Sequence, residues 1–125
     1  MKYEWLESYC LSKNAAVKDY KEEWQATRFM IRGKMFLMLG GDKQGTPIAS
    51  LKLEPAYGDF VRHEYKDVIP GYYMNKLHWN SIYLDGEVPD DILRDMIDRS
   101  YDLILNSLPK YQRLEIESES LDDSN

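Results

Sequence analysis

The residues best suited to chemistry lie in one stretch of sixteen, IPGYYMNKLHWNSIYL, which runs from Ile69 to Leu84. It holds a histidine, a lysine, three tyrosines and two asparagines, which are groups that can transfer protons, contact phosphate or bind a ligand. A general base needs a partner within hydrogen-bonding reach, but His78 has no carboxylate or nucleophile beside it in sequence. A structural role is therefore the better interpretation of His78.

Large apolar side chains in the same stretch also favour a structural role. We predict that Met74 and Trp79 are largely buried, while Lys76 reaches solvent. Asn75 and Asn80 flank a turn and the start of a strand, where asparagine side chains commonly bond to the local backbone. The stretch is therefore predicted to be mostly scaffold, with a polar edge that could form a contact surface.

The rest of the chain contains no recognisable catalytic, metal or phosphate site. Cys10 falls on the apolar stripe of a predicted helix, where a buried thiol is inert. His63 and His78 lie fifteen residues apart, without the spacing of paired zinc ligands. The stretch GGDKQG lacks the spacing of a phosphate-binding loop. We predict that the protein is not an enzyme, has no catalytic residues, and needs neither a metal nor a cofactor.

Four aspartates recur on one face of a predicted helix, at Asp91, Asp95, Asp98 and Asp102. Such a face could bind a divalent cation weakly. Because exposed monodentate carboxylates are weak ligands, a solvated helix face is the preferred interpretation.

Composition and charge limit the class of protein. The 125 residues suit a single domain, and their formal net charge is −6. An acidic balance argues against indiscriminate binding of polyanions, since such binding comes mainly from neutralising phosphates. The single cysteine excludes an intrachain disulfide, and the sequence shows no secretory signal and no membrane span. We therefore expect a cytoplasmic protein.

The elements that must position the motif alternate between helical and extended patterns. A first helix is predicted from about Tyr3 to Cys10. Trp24–Ile31 and Met35–Leu39 are predicted as strands, and Arg32-Gly33-Lys34 as their hairpin turn, with Gly33 supplying a positive φ. The turn Gly40–Pro47 then leads to a third strand.

The second half of the chain is predicted in the same way. A strand covers Ile48–Leu53, and a helix begins at Pro55 with an apolar stripe of Tyr57, Phe60, Val61 and Tyr65. His78–Leu84 is the last strand. A long helix follows from Pro89 to Pro109, with one apolar side made of Leu93, Met96, Ile97, Tyr101, Ile104 and Leu108.

These elements predict an α+β fold in two layers, with one antiparallel sheet covered on one face by helices. Residues 1–114 form the domain. Residues 115–125 carry five carboxylates and no cation, and are predicted to be a disordered tail.

Four short motifs resemble those of the YjbR/MmcQ-type family of small bacterial proteins. They are GKMF (Gly33–Phe36), LKLEP (Leu51–Pro55), IPGYYMNKLHWN (Ile69–Asn80) and SYDL (Ser100–Leu103), in the same order and at similar spacing. The resemblance extends from the first helix to about Leu114. It implies a frataxin-like (CyaY-like) fold and the DNA-binding role usually attached to the family.

Three departures from the family pattern weaken parts of this implication. Glu54 stands where the family has an aspartate that can cap the second helix, and Leu77 stands where a basic residue is common. The acidic tail lies beyond the resemblance. The second and third departures both argue against contact with phosphate.

The leading functional prediction is a non-enzymatic protein that binds double-stranded DNA with low sequence specificity. The residues predicted to contact DNA are Lys34, Lys52, Arg62, Lys66, Lys76 and His78. The alternative is a binding module for a protein or a small ligand that uses the edge from Tyr72 to Asn80. The residues predicted to bind such a ligand are Tyr72, Tyr73, Asn75 and Asn80.

Both hypotheses predict a monomer that does not bind a membrane. The surface separates them. A continuous positive strip across Lys34, Lys52 and Lys76 would favour DNA, whereas an apolar cleft at the tyrosines would favour a ligand.

Overall fold

The computed structural model describes residues 2–123, which fold into one six-stranded antiparallel sheet and four α-helices. The strands are β1 (Ala16–Lys21), β2 (Ala26–Ile31), β3 (Lys34–Gly41), β4 (Pro47–Lys52), β5 (Val68–Pro70) and β6 (Trp79–Tyr83). The helices are α1 (Leu6–Leu11), α2 (Pro55–Glu64), α3 (Asp90–Asn106) and α4 (Lys110–Asp123). The strands lie in the order β1-β2-β3-β4-β6-β5. Over residues 2–123, none of the helices has both the length and the hydrophobicity that a bilayer span requires.

The helices share one face of the sheet, as predicted. Each contributes at least one buried side chain to a single core that also contains Leu37 of β3 and Leu51 of β4. The side chains contributed by the four helices include Leu6, Val61, Met96 and Ile116. Burial of this much apolar surface on one face is the main stabilising contribution to such a two-layer fold.

Helix α3 is fixed to the sheet by one buried serine. The register between β2 and β3 shifts after Phe29, which leaves Phe36 without a partner on β2. The Ser100 hydroxyl donates to the Phe36 carbonyl at 2.7 Å and accepts from the Lys52 amide at 2.9 Å. Ser100 is fully buried, so these bonds satisfy backbone groups that water cannot reach.

Several local predictions are confirmed. Arg32 and Gly33 both adopt positive φ, at 47° and 81°, as the two central residues of a tight hairpin turn require. Pro55 occupies the first turn of α2. The predicted apolar side of α3 is buried from Leu93 to Leu108.

Two elements in the first half differ from the sequence prediction. Strand β1 was not predicted, and it pairs with β2 at the edge of the sheet. In α2, Val61 is buried but Phe60 is exposed, so the predicted stripe is wrong at Phe60. The reason is the tight approach of α2 to β6, where a Cβ on Gly58 would lie 3.2 Å from the Asn80 side chain. This contact turns the Gly58 side of the helix inward.

The predicted disordered tail is wrong for residues 115–123, because α4 continues to Asp123. Ile116 reaches the core and is almost fully buried. On the surface, Glu119 pairs with Arg32 of the β2–β3 turn at 2.8 Å. Burial of Ile116 and the ion pair of Glu119 therefore both attach to the domain a segment whose composition is otherwise that of a solvated chain. Ser124 and Asn125 belong to the same predicted tail and lie outside the described residues.

Candidate ligand-binding site

The face of the sheet opposite the helices is crossed by the segment Gly71–His78, which we call the strap. Its first residues are held by a buried pair of hydroxyls, because the Tyr72 amide donates to Ser81 Oγ at 3.1 Å. Ser81 Oγ lies 2.7 Å from Ser50 Oγ on the neighbouring strand. Gly71 is needed at the start of the strap, since a Cβ there would lie 2.8 Å from the Cβ of Trp79. The strap is thus anchored on the β4–β6 side of this open face.

Hydrogen bonds within the strap account for most of its polar groups. The Asn75 side chain accepts from the amides of Leu77 and His78, at 2.9 and 3.3 Å. Lys76 Nζ donates to the Gly71 carbonyl at 2.6 Å. The Tyr72 hydroxyl accepts from the Lys43 amide at 3.1 Å, which ties the strap to the β3–β4 turn. The strap is therefore a locally bonded segment that is also tied to the β3–β4 turn at Tyr72 and to Leu53 after β4 at the His78 carbonyl.

A cavity of about 610 Å³ lies between the strap and the turns at the end of the sheet. Its floor consists of Ala26, Met38, Gly40 and Ile48, which come from three neighbouring strands. Ala26 and Gly40 lie side by side, and a Cβ on Gly40 would be 3.7 Å from the Cβ of Ala26. The small size of these two residues gives the cavity its depth.

Two aromatic side chains stand at the sides of the cavity. Trp24 comes from the 3-10 turn between β1 and β2, and Tyr73 comes from the strap. Both rings remain largely outside the core, with 53% of Trp24 and 61% of Tyr73 exposed. Met74 adds an apolar contact beside Tyr73. Large exposed aromatic rings around an apolar hollow are typical of sites that bind small molecules.

The charged side chains that line the cavity are both carboxylates, Glu23 and Asp42. Asp42 Oδ1 accepts from the amides of Gln44 and Thr46, each at 2.9 Å, and so also shapes the β3–β4 turn. Burial and then the negative charge of Asp42 raise the pKa of the Tyr83 hydroxyl. The charges that line the cavity are therefore negative, whereas the cations Lys21 and Arg28 lie near the Trp24 ring without lining it.

Met74 of the strap and Trp79 of β6 are buried less completely than the side chains of the helix-face core. Met74 and Trp79 each have most of their surface buried and Lys76 is exposed, as predicted, although neither apolar side chain is fully enclosed. Their burial is incomplete because the open face is covered by the strap and not by a packed helix. Met74 therefore lines the cavity.

The residues predicted to bind a ligand have separate positions. Tyr73 lines the cavity, and Tyr72 holds the strap to the β3–β4 turn. Asn75 bonds within the strap. Asn80 is fully buried toward the helices, where its side chain accepts from Arg62 and donates to the His78 carbonyl at 3.2 Å.

The residues predicted to contact DNA are only partly brought together. Lys52 pairs in register with Trp79, and the Gly71 carbonyl that binds Lys76 lies beside Trp79, so these groups share one end of the sheet with His78. Lys34 begins β3 at the same end and contacts Ser107 of the helix layer at 3.3 Å.

The two remaining predicted DNA contacts lie apart from that end. Arg62 is directed between α2 and β6, where it bonds to Asn80 and to Asp59. Lys66 lies in the connection between α2 and β5. These six side chains therefore do not form a single cluster.

The acidic face of α3 is used for packing at two of its four positions. Asp98 accepts from the Tyr9 hydroxyl at 2.7 Å and pairs with Lys13, which joins α3 to α1. Asp95 accepts from Tyr57 at 2.8 Å, which joins α3 to α2. Burial and the bond to Asp95 raise the pKa of Tyr57 to about 12. In the described part of the chain, no three His, Cys, Asp or Glu side chains are grouped as metal ligands would be.

The single thiol is also unsuited to chemistry. Cys10 is fully buried in the core beneath α1. Burial raises the pKa of the Cys10 thiol to about 12, which disfavours the nucleophilic thiolate near neutral pH.

Sequence reasoning missed Glu23, Trp24 and Asp42, which stand in two turns far from the strap in sequence. The available signal was the row of small residues, Ala26 and Gly40-Gly41, in strands that are otherwise rich in large side chains. A row of small residues on one face of a sheet marks a close approach or a hollow.

Comparison with known proteins places the chain in a family. The family model YjbR matches residues 11–103. The uncharacterised protein YjbR of Escherichia coli strain K12 is 33% identical over 108 residues, which cover 86% of this chain and 91% of that protein. The uncharacterised protein YbdF of Escherichia coli O157:H7 is 39% identical over 82 residues and 66% of each chain.

Two solved structures show the same fold. The crystal structure of Deinococcus radiodurans protein DR2400, with the domain DUF419, has a TM-score of 0.79 and 26% identity, and covers 90% of this chain and 85% of its own. A Pseudomonas syringae crystal structure has a TM-score of 0.72 and 20% identity, and covers 83% of this chain and 99% of its own. Because the family model matches most of the length of this chain, the chain belongs to the YjbR family.

Proposed function

We propose that this protein is a non-enzymatic binding module for a small organic molecule with an apolar body. The ligand occupies the cavity between the strap and the open face of the sheet. The observation that supports this most is the cavity itself, whose volume of about 610 Å³ lies within the range of small-molecule sites. The cavity is a mainly apolar cleft beside one of these tyrosines, Tyr73, and such a cleft favours a ligand over DNA.

The lining groups suit binding better than chemistry. Met38, Ile48 and Met74 offer apolar contact, and methionine side chains adapt their shape to different partners. Trp24 and Tyr73 offer flat surfaces on which a ring or chain can pack. Glu23 and Asp42 are the charged groups present, and within residues 2–123 no serine, cysteine or histidine lines the cavity to act with them.

Low-specificity binding of DNA is the second candidate. It is favoured by the shared position of Lys34, Lys52, Lys76 and His78 at one end of the sheet. The net charge of −6 and the inward direction of Arg62 count against it. A frataxin-like fold, a cytoplasmic location, a protein partner and a monomeric state also stay predictions.

The test is a titration of the ¹⁵N-labelled protein with a neutral probe, 2-(2-naphthyl)ethanol, followed by amide chemical shifts. We expect shifts confined to the lining segments, residues 23–26, 38–45 and 73–74. Tyr73→Ala should weaken binding by about fivefold to tenfold, which is the effect of one lost aromatic contact.

Tyr111→Ala is the matched control, because Tyr111 is exposed to a similar degree, 64%, and stands on α4 away from the cavity lining. Equal effects of the two variants, or shifts spread over other surfaces, would contradict the proposal. A parallel titration with a short DNA duplex tests the second candidate. Shifts at Lys34, Lys52 and Lys76 with that probe, and none with the naphthyl probe, would replace the ligand hypothesis with DNA binding.

A further inference from the structure

The charges around the cavity indicate which ligands it accepts, and this step rests on the function proposed above. We propose that the cavity binds an organic cation, a molecule whose apolar body carries a protonated amine. The apolar body packs on Met38, Ile48 and Tyr73, and the ammonium group lies between Glu23 and the ring of Trp24.

The first support is the sign of the lining charges. Glu23 and Asp42 both line the cavity, whereas none of the described residues that line it is basic. Their carboxylates attract a cation that enters an apolar hollow, and they repel a carboxylate or a phosphate. After burial, which is the largest cause, the negative charge of Asp42 also raises the pKa of the nearby Tyr83 hydroxyl.

The second support is a cation that does not line the cavity itself but lies beside two residues that do, Glu23 and Trp24. Lys21 Nζ lies 5.5 Å from the centroid of the Trp24 ring and 3.6 Å from Glu23 Oε2. A ring face next to a carboxylate is a geometry that favours ammonium groups. Lys21 therefore shows that Glu23 and Trp24 together can hold an ammonium group, and the cationic group of a ligand would bind to this pair in place of the Lys21 side chain.

The exchange of one ammonium group for another is easy at this site. The Lys21 side chain is 38% exposed and the Glu23 side chain 73% exposed, so their ion pair contributes little to stability. The other cation near Trp24 is different. Arg28 lies 5.7 Å from the ring centroid, but it is held by two hydrogen bonds to Asp19, at 2.8 and 2.6 Å. Lys21 is thus the group that a ligand displaces.

The test uses three probes with one naphthyl body and different head groups. They are 2-(2-naphthyl)ethylamine, 2-(2-naphthyl)ethanol and 2-naphthylacetate, titrated against the full chain at low salt and at high salt. We expect the amine to bind about fivefold to tenfold more tightly than the alcohol, and the carboxylate to bind least. High salt should narrow the difference, because it screens exposed charges.

Charge-neutral variants assign the effect to the cavity. Glu23→Gln and Asp42→Asn should reduce the affinity for the amine toward that for the alcohol, and the amide introduced by Asp42→Asn keeps an acceptor oxygen for the turn. Glu22→Gln is the matched control, since it removes the neighbouring carboxylate, which does not line the cavity. It should leave the preference for the amine unchanged.

A second pair of variants tests the displacement of Lys21. Lys21→Met keeps the apolar stem and removes the competing ammonium group, so it should tighten binding of the amine and leave the alcohol unchanged. Lys18→Met is the control, because Lys18 lies on the same strand but pairs with Glu7 of α1 at 2.7 Å.

The outcomes separate the two proposals. Equal affinities for amine and alcohol, or tightest binding of the carboxylate, would overturn the preference for a cation and leave the binding module intact. Binding of none of the three probes would overturn both.

Discussion

The two faces of the sheet are built from the same strands and differ in what covers them. On the helix face, Leu37 and Leu51 pair in register and are fully buried in a core completed by α1 to α4. On the open face, Met38 and Ile48 are also buried, although the strap covers only part of that surface and a cavity lies above them. One face has dense packing, whereas the other has apolar side chains with space beside them. A binding site can therefore form on the face of a small domain where the packing of apolar side chains is incomplete.

The largest expected difference is between two adjacent residues of β3. Leu37 points into the helix-face core, and Met38 lines the cavity on the open face. Leu37→Ala should lower the free energy of unfolding by about 3–4 kcal/mol, because it leaves an enclosed void. Met38→Ala should cost only about 1 kcal/mol, since the space it leaves joins a cavity that water can enter. Urea denaturation followed by circular dichroism measures both.

Leucine and methionine differ little in volume, so the pair controls for side-chain size. Equal losses for the two variants would show that the open face is packed as tightly as the helix face. The cavity would then not be accessible to a ligand, and the proposed difference in packing between the two faces would be contradicted.

A smaller difference in unfolding free energy is expected when two buried serines are replaced, Ser100 on the helix face and Ser81 on the open face. Ser100→Ala should lower the free energy of unfolding by about 2 kcal/mol, because the Phe36 carbonyl and the Lys52 amide lose their partner in a dry core. Ser81→Ala leaves both the Tyr72 amide and the Ser50 hydroxyl without their partner beneath the strap. Ser81 is buried as well, but the strap above it is not held by a packed core and can shift to admit water, so the expected loss is about 1 kcal/mol. Thermal unfolding followed by calorimetry measures the two losses.

Ser81→Ala should also have an effect that Ser100→Ala lacks. Since Ser81 anchors the strap that carries Tyr73, its removal should speed amide hydrogen exchange at residues 72–76. Faster exchange at the strap in both variants would mean that the two faces are mechanically coupled.

The helix face could be predicted from sequence, because its elements follow strong local rules. The apolar side of α3 has helical spacing between two prolines, and β3 is a short apolar run flanked by turns. Strand β1 could not be predicted in this way. It lies at the edge of the sheet with four of its six residues exposed, so its sequence AVKDYK shows no apolar alternation. The pairing of β1 with β2 therefore depends on the folded sheet and not on the local sequence of β1.

The cavity could be predicted only in part. Tyr73 was expected at a binding edge because aromatic and polar residues cluster in the strap. Glu23, Trp24 and Asp42 stand in turns whose meeting depends on the register of four strands, from β1 to β4, and on a strap that folds back over them. The spacing of residues along the sequence does not indicate that these side chains lie close together in the fold. For the basic residues, sequence reasoning named a site residue that the structure uses for packing. Arg62 was expected to contact DNA on the surface, but it is bonded to the buried Asn80.

The last expected difference concerns α4, whose residues 115–123 belong to the segment that was predicted to be disordered. Ile116 is buried in the helix-face core, whereas Leu114 on the same helix is exposed. Ile116→Ala should lower the free energy of unfolding by about 1–2 kcal/mol, less than a central position because a terminal helix can shift to fill the space. Leu114→Ala should change it by less than about 0.5 kcal/mol. Hydrogen exchange of the α4 amides, measured with urea denaturation, shows whether the loss is local or global. If Ile116→Ala speeds exchange only within α4, the helix is an independent addition to the helix layer. If neither variant changes stability or exchange, α4 does not pack on the core, and the composition of residues 115–123 has determined their behaviour after all.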